Sequence, residues 1–420
     1  MYVANIPTPE KRIAEYEKLG YGMFVHWGLY SQKQSGEWIY WMTDRNMDEY
    51  KKLAKTFTAE DFNAAELVKT AKDAGCKYIT FTTRHHEGFS LYDTRGLSDY
   101  DAPHYCGRDL IKEFTDACHE QGIVPFLYHT TLDWYQKSFD EDFDAYLEYL
   151  RKSVEILCRY YGKIGGFYFD GNWSKRHADW KLDELYGTIR KYQPDAIIIN
   201  NTGMGERGRV SHPEVDAVTF EQGSVHQLDL DGAPKYVAAE VDLTMNRHWG
   251  ISQNDFNYKS PATLIKELCK ARTCNANFLL NISPTPQGGI DPFQKATLGM
   301  IRKWLDIFGE AIYDVEPLIY PDDVHSMSDV KFLKSRTDKA YYIFDFDLGE
   351  IGDKNVTEDG RYSGIIAFSN VKAKIDRIEW LDSGEELPFS QSDNGILSVD
   401  FKGYKYGTDY CVRVAKAYLK

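Results

Sequence analysis

Gly165-Gly166-Phe167-Tyr168-Phe169-Asp170-Gly171 is an apolar run with the length of one buried strand, and it stops on a carboxylate followed by glycine. Seven more runs of this kind lie at 21–26, 78–82, 124–129, 196–200, 217–221, 236–240 and 278–282. Between most of them the apolar residues recur at helical spacing, at 59–74, 108–121, 143–161, 180–191 and 262–274, and a further helix at 291–308 follows the eighth run. Eight continuous apolar strands alternating with amphipathic helices predict an α/β chain closed into a (β/α)8-like, TIM-type barrel. No clear helix follows the fifth or sixth run, so the barrel is expected to be distorted there.

The pattern changes towards the C-terminus. Ala340-Tyr341-Tyr342-Ile343-Phe344-Asp345-Phe346, Gly364-Ile365-Ile366-Ala367-Phe368-Ser369, Ile378-Glu379-Trp380-Leu381 and Tyr410-Cys411-Val412-Arg413-Val414 alternate or run apolar over short lengths. Asp359-Gly360 and Asn394-Gly395 punctuate them as turns. Residues 1–315 are therefore read as the barrel and 316–420 as a small C-terminal β-sandwich.

Composition narrows the function classes. Asp and Glu outnumber Lys and Arg by 64 to 50, a net charge of −14. That disfavours nucleic acid and anionic membrane surfaces as partners. Aromatics reach 15%, with 30 Tyr, 22 Phe and 9 Trp; flat rings suit the C–H faces of sugars, although packing alone would also account for them. The seven cysteines form no CxxC pair and no metal-like spacing. The start of the chain carries no apolar signal core, and no stretch of ~18 apolar residues occurs. Glycosylation sequons fall at Asn172, Asn200, Asn281 and Asn355, the first two residues beyond Asp170. Together these features lead to the expectation of a cytoplasmic protein in which the sequons are accidental.

In a parallel barrel the functional side chains sit where strands end. The ends here are His26-Trp27-Gly28, Arg84-His85-His86-Glu87, Tyr128-His129, Tyr168-Phe169-Asp170, Asn200-Asn201, Glu221 and Glu240. So many polar ends, mixed with rings, suit a pocket for a polyhydroxylated ligand. Breaking a glycosidic bond takes two carboxyl groups, one to protonate the departing oxygen and one to attack carbon or activate water. Asp170 is the sharpest candidate, though an Asp there could also cap a turn. Glu221 and Glu240 compete for the acid/base role, and either could serve a structural ion pair.

His85 and His86 invite a metal reading. On a regular strand adjacent side chains point to opposite faces, so the pair is not expected to share one ion. Neither His-x-His nor HExxH is present. With His26 and His129 they read better as neutral partners of sugar hydroxyls, and neither metal nor organic cofactor is expected. Gly203-Met204-Gly205-Glu206-Arg207-Gly208 matches GxGxxG, but Val210-Ser211-His212-Pro213 follows where a dinucleotide site needs a helix.

The chain resembles the family-29 glycoside hydrolases, the α-L-fucosidases. The resemblance spans about residues 10–310 and rests on several blocks. They are His26-Trp27-Gly28, Gly36-Glu37-Trp38, Phe57-Thr58-Ala59-Glu60-Asp61-Phe62, Arg84-His85-His86-Glu87-Gly88-Phe89, Asp170-Gly171, His248-Trp249-Gly250 and Asn277-Phe278-Leu279-Leu280-Asn281-Ile282-Ser283-Pro284. The C-terminal module also looks like theirs. The resemblance implies a retaining exo-α-L-fucosidase acting by double displacement. Asp170 would be the nucleophile, and Glu221, in Thr219-Phe220-Glu221, the acid/base, with Glu240 as alternative. His26, Glu37, Trp38, His85 and His86 would hold the fucose hydroxyls, and Trp249 would pack on the sugar near its methyl group. Tyr128, His129 and Tyr168 complete the binding set. Three positions depart from the family: Tyr168 stands where Trp is frequent, Asn200 and Asn201 where an arginine usually follows the fifth strand, and Tyr128-His129-Thr130 where Tyr-Tyr-Ser is common.

The expected partner is a fucosylated oligosaccharide or glycoside, with no nucleic acid and no membrane; a homo-oligomer is left open. Other readings stand beside this one: a related retaining glycosidase or transfucosylase of other specificity, a non-catalytic carbohydrate-binding protein, or a barrel metallohydrolase.

Overall fold

The computed structural model describes residues 4–318, 325–326, 330–346, 348, 364–404 and 407–420. Eight parallel strands close into a barrel in sequence order. They are β1 Tyr21–Val25, β2 Tyr78–Arg84, β3 Val124–Thr130, β4 Gly166–Asp170, β5 Ile197–Asn201, β6 Ala217–Glu221, β7 Ala238–Leu243 and β8 Ala276–Ile282. β8 pairs with β1, Tyr21 opposite Phe278, and closes the ring.

Strand periodicity sorts each side chain to one of two sides. On β4, Phe167 and Phe169 face the helices, their rings stacked 5.6 Å apart. The intervening Tyr168 joins Phe24, Tyr78, Phe126 and Tyr128 in an aromatic barrel interior. The helix Lys11–Leu19 closes the end where the strands begin, sending Ile13 and Tyr16 into that interior. Part of the aromatic excess is thus packing rather than ligand contact.

Helices Ala64–Asp73, Leu110–Gln121, Phe143–Tyr160, Leu182–Tyr192, Pro261–Thr273 and Pro292–Phe308 surround the strands. Their starts carry the expected chemistry: Asn63, Asp109, Asp142, Ser260 and Asp291 each accept a backbone N–H of the first turn, and Pro261 and Pro292 open their helices. Among the described residues no helix follows β5 or β6, and β5 pairs with β6 only at Ile199 and Ala217. The sequence anticipated this irregular quarter. Among the described residues no helix is long and apolar enough to cross a membrane.

The seventh strand differs most from its expectation. It was placed at 236–240 and ended on Glu240, but β7 begins at Ala238 and continues to Leu243. Tyr236 precedes it and donates to Glu17 instead. Ending a strand at its first carboxylate fails here because Glu240 and Asp242 are both buried inside the barrel, hydrogen-bonded to tyrosines.

Two antiparallel sheets follow. One has Ile375–Trp380, Arg413–Leu419, Ala340–Asp345, Val330–Ser335 and Val315–Pro317 side by side; the other has His325–Ser326, Gly364–Ser369, Leu397–Phe401 and Phe389–Gln391. An apolar core that includes Ile378, Trp380, Phe368 and Val399 fills the space between them. The larger sheet also joins the barrel core through Leu333, Tyr342 and Val414, and Trp304 of the last barrel helix donates to the carbonyl of Val412 at 3.0 Å. The turn at Gly395 takes the positive φ of 82° that favours glycine; Asp359-Gly360 and Asn355 lie outside the described residues.

Candidate active site

A cavity of about 680 Å³ opens at the ends of the strands. Asp170 and Glu221 are the last residues of β4 and β6, and both reach it. The strand between them supplies the link. Asn201, last in β5, uses its Nδ2 to donate to Asp170 Oδ1 at 3.2 Å and to Glu221 Oε2 at 3.1 Å. Those two bonds hold these two oxygens within about 6.3 Å of each other. Asn201 Oδ1 accepts from Thr219 at 3.0 Å, which fixes the amide's orientation.

Asp170 is heavily solvated by the protein. Oδ1 also accepts from Trp173 Nε1 at 2.8 Å, and Oδ2 accepts from Tyr128 Oη at 2.9 Å. Burial raises its pKa, and the donors from Trp173, Tyr128 and Asn201 oppose that rise. Glu221 has fewer donors; burial raises its pKa, and the negative charge of Asp170 raises it further. Gly171, with φ 115°, allows the turn out of β4, and a Cβ there would meet the backbone nitrogen of Leu132 at 2.6 Å.

The histidines present lone pairs. His26 donates from Nδ1 to Asn281 Oδ1 at 2.7 Å, an amide whose Nδ2 is committed to the carbonyl of Trp249. Thr130 gives its hydroxyl proton to the carbonyl of Leu132, so it accepts from Nδ1 of His86 at 2.7 Å. Burial keeps both rings neutral, lowering their pKa well below the usual value. Each Nε2 is therefore an acceptor, and that of His86 stands 3.5 Å from Asp170 Oδ2.

Ten expected site residues line the cavity: Asp170, Glu221, His26, Glu37, Trp38, His85, His86, Tyr128, Tyr168 and Trp249. Glu37 is held by the backbone N–H groups of Trp249 and Gly250, at 3.0 and 2.8 Å. Gly250 permits that approach, since a Cβ there would meet Glu37 N at 3.0 Å and the Tyr30 ring at 2.8 Å. Trp38 stacks on Trp173 and meets His86 edge-on.

His85 and His86 both line the cavity, where hydroxyl partners were expected, their rings 4.2 Å apart. They lie beyond the end of β2, after an irregularity between Thr82 and Arg84, where strand alternation no longer applies. His129 was expected at the rim but faces away, its nitrogens 2.7 Å from Thr83 and 2.8 Å from Ser153. It follows the inward-facing Tyr128 on β3 and so takes the other side. Glu240, the alternative acid/base, does not line the cavity; Tyr16 and Tyr78 both donate to its Oε2 at 2.5 Å in the barrel interior.

Asn201, Trp173 and Asp242 are among the lining residues that the sequence reading did not assign to the site. Asn201 was visible only as a polar strand end, and Trp173 lies in the short helical turn Asn172–Lys175 after β4. Asp242 could have been found from its place two residues after Glu240, on the same side of β7. It accepts from Tyr168 Oη at 2.9 Å. The glycine-rich stretch rejected as a dinucleotide loop forms cavity wall at Gly203, Met204 and Gly205. Among the described residues there is no group of three or more His, Cys, Asp or Glu side chains that could hold a metal ion.

The chain is similar to known proteins. The α-L-fucosidase family model matches residues 5–310. A putative α-L-fucosidase of Caenorhabditis elegans is 27% identical over 350 residues, which are 76% of this chain and 69% of that one. The solved α-L-fucosidase isoenzyme 1 of Paenibacillus thiaminolyticus superposes with a TM-score of 0.81 at 26% identity, covering 98% of this chain and 99% of its own. A Bacteroides thetaiotaomicron α-L-fucosidase shares the fold at 20% identity, with a TM-score of 0.83 over 100% of this chain and 98% of its own.

Proposed function

The chain belongs to the α-L-fucosidase family of glycoside hydrolases, and we propose that it removes terminal α-L-fucose from oligosaccharides or glycosides by double displacement at the cavity around Asp170. Ionised Asp170 attacks the anomeric carbon while Glu221 gives its proton to the departing oxygen; Glu221 then takes a proton from the water that cleaves the ester.

The observation that supports this reading is the shared donor Asn201, whose one amide nitrogen bonds to both carboxyl groups and so keeps them side by side in the cavity. Electrostatics supports the division of labour. Asp170 has three donors that favour its charge, whereas Glu221 has burial and the charge of Asp170 keeping it protonated. When Asp170 becomes a neutral ester that second influence disappears, and Glu221 becomes a better base for the second step. The Bacteroides thetaiotaomicron fucosidase was trapped as a covalent intermediate with 2-fluoro-fucosyl fluoride, which is in keeping with such a route. The bare Nε2 atoms of His26 and His86 and the carboxylate of Glu37 accept hydroxyl protons of the sugar, and Trp249 and Phe24, with rings 5.7 Å apart, offer the apolar face.

The test is the anomer released first. Proton NMR of early aryl α-L-fucoside hydrolysis should show α-fucose before mutarotation; first-formed β-fucose would overturn the double displacement. Asp170→Ala should lose activity by about 10⁴-fold or more, and Glu221→Ala should regain turnover with azide on a substrate with a good leaving group. Absence of azide rescue would remove Glu221 from the acid/base role.

A further inference from the structure

His85 lines the main cavity between His86 and Tyr128, its ring centroid 4.2 and 5.6 Å from theirs. Its hydrogen bonding differs from that of the other two cavity histidines. His26 and His86 each commit Nδ1 to a neighbouring oxygen, of Asn281 and of Thr130. The Nδ1 of His85 is buried and has no hydrogen-bond partner. The cavity can therefore reach only the other edge of that ring, which carries Nε2. On the buried side Oε2 of Glu87 lies 3.6 Å from Nδ1.

Glu87 is 1% exposed, and neither of its oxygens has a partner with hydrogen-bond geometry. Among the described residues no cation other than a protonated His85 comes within ion-pair distance of it. The ionisable groups that face it are the phenols of Tyr30, Tyr50, Tyr100 and Tyr128 and the carboxyl group of Asp133. The carboxyl group fits because residue 28 is glycine: a Cβ there would meet Oε1 at 2.7 Å. A buried carboxylate without a cation is costly. Burial pushes Glu87 up from 4.5 to about 8, against a weaker pull from the N–H groups of Glu87 itself and Leu29. Burial also pushes His85 down from 6.5 to about 3. Both shifts favour the neutral forms. A neutral carboxyl group has one proton to give, and a neutral imidazole has one lone pair to take it. The separation exceeds a hydrogen bond by a few tenths of an ångström, which a small rotation of the carboxyl group closes.

We infer that Glu87 is a positioning residue: as a carboxylic acid it donates to Nδ1 of His85, holds that ring in the Nε2–H tautomer, and so makes it a hydrogen-bond donor to an oxygen of the bound sugar. His26 and His86 take protons from the sugar, and His85 gives one to it. The inference rests on the fucosidase reading for the identity of the sugar; the tautomer does not depend on that reading.

Long-range proton–nitrogen NMR of histidine-labelled protein reports the tautomer of each ring, with His85 assigned by the signal lost in His85→Asn. The expected wild-type result is Nε2–H in His85 and Nδ1–H in His26 and His86. Nδ1–H in His85 overturns the inference. Glu87→Met keeps the length of the side chain and removes the acid proton. Its kcat/KM on nitrophenyl α-L-fucoside should fall about tenfold, the scale of one hydrogen bond. Glu87→Gln, whose amide still donates to Nδ1, should restore the tautomer and most of the activity. Wild-type kinetics in Glu87→Met, or a Glu87→Gln protein as impaired as Glu87→Met, overturns the role. If Glu87→Met does not fold, the spectra of wild type and Glu87→Gln decide: Nε2–H in both supports the inference, and any other pattern overturns it. Wild-type protein inactive on the aryl fucoside would sink the fucosidase reading instead, and the same spectra would still decide the tautomer.

Discussion

Tyr168 donates its phenolic proton to Asp242 at 2.9 Å, inside the barrel and beside the cavity that holds Asp170. Burial raises the pKa of Asp242 well above its usual value, and the neighbouring Glu221 and Glu240 raise it further. Burial and these neighbours both favour the protonated form of Asp242. Asp242→Asn, which exchanges one neutral hydrogen-bonding group for another, should keep kcat/KM within about threefold. Asp242→Ala strands the Tyr168 hydroxyl and should cost about 1–3 kcal/mol in chemical denaturation. A hundredfold loss of activity in Asp242→Asn would show that the ionised form is needed.

The shared amide of Asn201 makes a prediction about pH. Its hydrogen bonds lower the pKa of both Asp170 and Glu221. In Asn201→Ala both values rise, so the acidic limb, set by ionisation of Asp170, and the basic limb, set by loss of the Glu221 proton, move together to higher pH. The two groups titrate as a pair, so the limbs report the pair rather than either residue. A kcat/KM profile that loses height without moving would contradict this.

Glu240 predicts a pH dependence of stability. Burial pushes its pKa up from 4.5 to about 7, with the hydroxyls of Tyr16 and Tyr78 opposing the shift. The native state then binds a proton that the unfolded chain has released between about pH 4.5 and 7, so stability falls as pH rises through that window. Glu240→Gln abolishes the titration and should gain on the wild type by about 3 kcal/mol between pH 5 and pH 8 in urea unfolding. Parallel stability curves for the two proteins across that range would refute it.

His86 and His129 should separate cleanly. His86 presents a bare Nε2 to the cavity, and His86→Ala should lower kcat/KM by about tenfold to a hundredfold with little change in melting temperature. His129 bonds to Thr83 and Ser153 behind β3. His129→Ala should cost about 1–3 kcal/mol of stability and leave KM unchanged. Thermal melts beside Michaelis curves decide the pair; a raised KM in His129→Ala would place that ring in the binding site after all.

Much of the site was legible as a list of strand ends. Asp170 and Glu221 close β4 and β6 because an apolar run of strand length must stop where the barrel meets its cavity. The same rule misplaced Glu240, since a carboxyl group bonded by two tyrosines can sit inside the barrel and let the strand continue to Leu243. It also misjudged His129, which obeyed strand alternation and turned outward, whereas His85 and His86 lie past the strand and reach the cavity where they were expected.

The order of elements, the irregular stretch around β5 to β7 and the carboxylates at the strand ends were determined by the sequence alone, because apolar periodicity is a local property that each segment carries with it. Which groups meet was decided by closure of the barrel. Only when β5 lies between β4 and β6 does one amide reach both Asp170 and Glu221, and only burial from all sides lowers the pKa of His26 and His86 and raises that of Asp242. Hydrogen bonds and desolvation act between residues distant in the chain, so no window of sequence contains them.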